Sequence, residues 1–104
     1  MQQKGCLIMR KIVYGKMMDG YRNFHIITRG GGMCYGRFYE GSDWAYVHYR
    51  SHINGTDYMQ DMPKKEVLDV VRSRQNWSSF EDACFYYWQK EQEDMERCRE
   101  ENLD

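Results

Sequence analysis

The stretch MCYGRFYEGSDWAYVHYR, residues 33 to 50, constrains the fold more than any other part of the chain. Two runs of alternating character flank Gly41-Ser42-Asp43, and a glycine there supplies the positive φ that tight hairpin turns require. With Gly41 and Ser42 as the loop, Tyr39 faces Trp44, Arg37 faces Tyr46, Tyr35 faces His48 and Met33 faces Arg50. All eight then lie on one side, because side chains alternate along a strand. The other side receives Cys34, Gly36, Phe38, Ala45, Val47 and Tyr49, which suit a buried surface.

The rest of the chain fits around this hairpin. GCLIMRKIVY at 5 to 14 ends at Gly15, and YRNFHIITR at 21 to 29 lies between Asp19-Gly20 and three glycines, so both read as strands. A loop made of Gly30, Gly31 and Gly32 turns Phe24 and Ile26 toward the core and sets His25 beside Arg37, with Tyr21, His25 and Arg29 completing the outer face. From Pro63 the period changes. Val67, Leu68, Val70 and Val71 recur at helical spacing to about residue 75, with proline at the first position and Asn76 at the end. Ser78 to Glu81 offers a capping box for a second helix, whose apolar stripe is Phe80, Cys84, Tyr87 or Trp88, and Met95. The expectation is a single α+β domain over 1–104: a four-stranded antiparallel meander within 1–58, then two C-terminal helices within 63–104 packed on one sheet face.

Leu, Ile, Val and Phe number only 17, which with a high net charge would indicate disorder; the net charge is −1. The 12 Trp and Tyr and 8 Met supply the missing apolar area, and a packed core follows. The longest apolar run, Ala83 to Trp88, is too short for an export signal or a membrane span, so a cytoplasmic protein is expected. The Asn54-Gly-Thr56 and Asn76-Trp-Ser78 triplets read as a turn and a helix connection. Cys6, Cys34, Cys84 and Cys98 lack the paired spacing of metal or redox sites and read as reduced thiols, with a Cys6–Cys34 cross-strand bridge as the alternative.

The near-zero net charge hides a split. Residues 1 to 80 hold 12 Lys and Arg against 7 Asp and Glu, a net of +5; residues 81 to 104 hold 3 against 9, a net of −6. The acidic end comprises Glu91, Glu93, Asp94, Glu96, Glu100, Glu101 and Asp104, and it suggests docking on a basic protein surface.

No serine elbow, phosphate loop or metal-ligand cluster is present, so no cofactor or metal is expected. Tyr35, Arg37, Tyr39, Trp44, Tyr46, His48 and Arg50 form the candidate binding face, since Trp, Tyr and Arg dominate protein-binding hot spots. This points to a small non-enzymatic protein that masks a macromolecular partner, such as an accessory protein or a phage-type inhibitor of a host nuclease. Two alternatives use the same residues. Aromatic rings interleaved with cations also stack single-stranded nucleic acid, and His25 with His48 could act as acid and base in a metal-free ribonuclease.

Overall fold

A computed structural model describes residues 10–28, 30–72 and 76–101, with the backbone alone at Glu101. Five strands, β1 (Lys11–Met17), β2 (Tyr21–Ile27), β3 (Met33–Tyr39), β4 (Trp44–Arg50) and β5 (Asp57–Pro63), precede α1 (Lys64–Arg72) and α2 (Trp77–Glu101). The strands form one antiparallel sheet in chain order, with both helices on the same face. The α+β class and the meander therefore hold, with one strand more than the sequence suggested.

The fifth strand explains the difference. Tyr58, Gln60 and Met62 alternate inward along DYMQDMP, and the buried Gln60 masks the apolar period that would otherwise announce a strand. Pro63 ends β5 instead of opening α1; an edge strand tolerates it because one side of its backbone needs no ladder partner. At the other edge, β1 runs past Gly15 through an irregularity between Tyr14 and Met17, while residues 5–9 of the expected strand and Cys6 lie outside the described residues.

The β3–β4 register pairs Met33 with Arg50, Tyr35 with His48 and Arg37 with Tyr46, as the two-residue loop requires. Between β2 and β3 the pairing differs from expectation by two residues: His25 faces Tyr35, and Asn23 takes the place opposite Arg37. A shift of two preserves the face, so Phe24 and Ile26 are still buried. Arg29 lies outside the described residues.

The core lies between the sheet and the helices. Phe24, Ile26, Cys34, Phe38, Ala45, Val47, Tyr49 and Met62 meet Val67 and Val70 of α1 and Trp77, Phe80 and Cys84 of α2. Tyr49 stacks on Trp77 at 5.7 Å and meets Phe80 edge-on at 5.3 Å, so three large rings fix the start of α2. That start is capped by Asn76, whose Oδ1 accepts from Ser79 N at 2.8 Å. Asn76 thus begins α2, one turn's accounting that replaces the box expected at Ser78. Residues 73–75, at the expected end of α1, lie outside the described residues.

Helix α2 has 25 residues and so is about 37 Å long. Its packing stripe, Phe80, Cys84, Tyr87 and Glu91, lies along β5. Glu91 accepts a hydrogen bond from Asp61 N at 2.6 Å, which satisfies an outward-pointing backbone group of the edge strand. Beyond Glu91 the same helix face continues through Met95 and Cys98, yet both are exposed. Residues 92–100 are exposed on every side and form an arm beyond the packed stripe, in a molecule with extents of 66 × 34 × 19 Å.

Candidate functional site

Because the helices take one face of the sheet, the other is left open. Tyr35, Arg37, Tyr39, Trp44, Met33 and Arg50 are exposed and Tyr46 and His48 half-buried, all on this face. Trp44 reaches α2, meeting Tyr87 edge-on at 5.9 Å near the end of β5. The neighbouring strands extend the surface. β2 adds Tyr21, Asn23 and His25, and β5 adds Asp57, Met59 and Asp61, which the sequence reading missed because it placed no strand there.

Two arginines of this face differ in their surroundings. Asp57, directly across from Arg50, accepts from its Nε at 3.0 Å and its Nη2 at 2.9 Å, and lies 2.9 Å from His48 Nε2. Arg50 first and His48 second hold the Asp57 carboxyl well below the usual carboxylate range, and Asp57 in turn raises the Arg50 pKa. A depressed carboxylate pKa favours the folded state while the group is ionised. The clamp therefore contributes fully above the ordinary value of 3.8 and is lost in strong acid, as the pH falls through the depressed value. Arg37 has no ion pair among the described residues; its guanidinium lies 4.5 Å from the Tyr21 ring centre.

Arg37 borders a groove of about 680 Å³ lined by Asn23, Phe24, His25, Tyr35, Gly36, Arg37, Tyr39 and Tyr46. Gly36 lies at its floor and leaves no room for a side chain, since a Cβ there would collide with the Tyr46 carbonyl oxygen and approach Phe24 Cε2 to 3.1 Å. Burial, then the neighbouring phenols Tyr35 and Tyr39, raises the Tyr46 pKa, so its hydroxyl keeps its proton at neutral pH.

The histidines do not converge. Tyr35 stands between His25, at 6.3 Å between ring centres, and His48, at 4.8 Å, while His52 is in the loop after β4. His48 already directs Nε2 to Asp57. Among the described residues no cluster of His, Cys, Asp and Glu is arranged to hold a metal ion, and no helix is long and apolar enough to cross a membrane. Cys34 and Cys84 are buried free thiols whose pKa values burial raises, and Cys98 is exposed.

The acidic residues separate into two groups. Glu91 is half-buried and engaged with β5, so it belongs to the scaffold. Glu93, Glu96 and Glu100 are exposed on the arm, on the side away from Met95 and Cys98, and Asp94 pairs with Arg97 at 2.9 Å. The Glu101 side chain and Asp104 lie outside the description. Comparison with known families, curated proteins and solved structures finds no match to this chain.

Proposed function

We propose that this chain is a non-catalytic binding module that masks a surface of a protein partner through the open face of its sheet, in the manner of an accessory or inhibitor protein. The observation that carries this reading is a continuous surface of exposed Tyr35, Arg37, Tyr39 and Trp44 with half-buried Tyr46, on the sheet face away from the core and touched by a helix at Trp44 through Tyr87. Rigid aromatic side chains on a sheet lose little entropy on binding and bury much area, which is why they anchor interfaces.

Charge favours protein over single-stranded nucleic acid as the occupant. Lys11, Arg37 and Arg50 on the face stand against Asp57 and Asp61, with Lys16 in the irregular stretch of β1 beside them, so the net positive charge available to neutralise phosphates is small. The test is capture from a native lysate, before and after nuclease treatment, by wild type, Trp44→Ala and Tyr46→Ala. Capture that survives nuclease and weakens by about 1–2 kcal/mol in each variant, at unchanged melting temperature, supports the proposal. Capture that vanishes with nuclease favours the stacking alternative.

The arm supports a second contact, with a basic surface. Glu93, Glu96 and Glu100 follow one line of the helix with rises of about 4.5 and 6 Å, a row of charges that resembles a nucleic-acid backbone. Reversing all three to Lys is expected to slow association about tenfold or more at low salt and far less at high salt, with little change in dissociation. The fold should persist because these residues lie outside the packed stripe. Association kinetics at two ionic strengths check this, and an unchanged rate leaves the arm as a solvated helix end.

A further inference from the structure

We infer that the groove between β2, β3 and β4 is a subsite for a single carboxylate, carried on a short apolar stretch of the partner and anchored by Arg37. This rests on the reading of the open face as a protein-docking surface and names what that surface recognises.

The first support is the lining. Asn23, His25, Tyr35, Tyr39 and Tyr46 can all donate hydrogen bonds, Arg37 carries the full positive charge, and the described lining includes no carboxylate, Asp61 lying on the next strand across from Tyr46. A volume of about 680 Å³ lies within the range of small-ligand sites and accommodates an acidic side chain with its neighbours. Arg37 is also positioned in advance. Its guanidinium carbon lies 4.5 Å from the centre of the Tyr21 ring, whereas the comparable Arg50 is occupied by Asp57. A guanidinium held by a ring and lacking an acidic partner offers its N–H groups for a two-pronged bond to a carboxylate, among the strongest hydrogen bonds available to proteins.

The second support limits the charge to one. β5 adjoins β4 and presents Asp57 and Asp61 on the same face, Asp61 directly across from Tyr46 at the groove's edge and roughly 10 Å from Arg37 on β3. That distance is comparable with the screening length of about 8–10 Å, so a second or third negative charge meets repulsion. Exposed Ile27, Met33, Trp44 and Met59 provide apolar shoulders around the groove. The arrangement fits an acid flanked by apolar residues better than a polyanion.

The test titrates the full chain, followed by amide resonances, with blocked Phe-Glu-Phe, blocked Phe-Gln-Phe and a ten-residue oligo-dT. The acid peptide is expected to bind at least fivefold more tightly than the amide peptide, with shifts centred on Asn23, Tyr35, Arg37 and Tyr46. Arg37→Gln should abolish that preference, and Arg37→Lys should retain part of it as a point charge. Equal affinities for the two peptides, a preference that survives Arg37→Gln, or tighter binding of the oligonucleotide would each overturn the subsite. Equal peptide affinities alongside nuclease-resistant capture that still depends on Trp44 and Tyr46 would overturn the subsite alone and leave the docking face standing.

Discussion

Replacing Phe80 with alanine should lower the unfolding free energy by about 3–5 kcal/mol, the range for deleting a large buried ring. Phe80 is fully buried and meets Tyr49 and Trp77 edge-on at 5.3 and 5.6 Å. Its removal takes apolar area out of the core and leaves a cavity between two rings that cannot collapse, because Tyr49 is fixed in β4 and Trp77 begins α2. Domains of this size have roughly 5–15 kcal/mol in total, so the variant should approach the unfolding threshold. Urea unfolding followed by tryptophan fluorescence measures the change. A loss below about 1 kcal/mol would show that α2 docks outside the cooperative unit.

The second large effect is expected at Gly36, where alanine should cost about 3 kcal/mol or more, at or beyond the upper end of the usual overpacking range. The added methyl would meet the backbone carbonyl of Tyr46, which cannot rotate away as a side chain does, and would also press on Phe24. Relief requires β3 and β4 to separate. The same movement changes the spacing of Arg37 and Tyr46, paired across these strands, so stability and groove geometry should fail together. Denaturant unfolding and the amide shifts of Arg37 and Tyr46 report the two effects. A variant of wild-type stability with undisturbed shifts would mean that the strands part more easily than backbone packing allows.

The hairpin was legible because two independent signals agree: turn chemistry at Gly41 and Ser42, and alternation of Tyr35, Arg37 and Tyr39 with Cys34, Gly36 and Phe38. Either alone would leave the register open, and together they identify which rings share a face. The β2–β3 register was less legible because three consecutive glycines permit several loops. Gly32 is in fact packed against the Arg50 carbonyl, and Gly31 against Trp77, so two of the three serve close contact. β5 was missed where a buried glutamine interrupts the apolar alternation and a proline imitates a helix start. That omission mattered for the site, since Asp57 and Asp61 change the charge of the face. The pairing of Asp57 with Arg50 and His48 depends on a strand neighbour that sequence spacing alone does not reveal.

The overhanging arm also decides how the molecule tumbles. Its radius of gyration is 15.7 Å, against about 13 Å for a compact domain of this length. A rod-like particle drags more solvent than a sphere of equal mass, so a single copy elutes early from a sizing column and mimics a larger assembly. Its rotation is anisotropic as well: spinning about the long axis is faster than end-over-end motion. Amide bonds of α2, lying near that axis, should therefore relax differently from those of the sheet even when both are equally rigid.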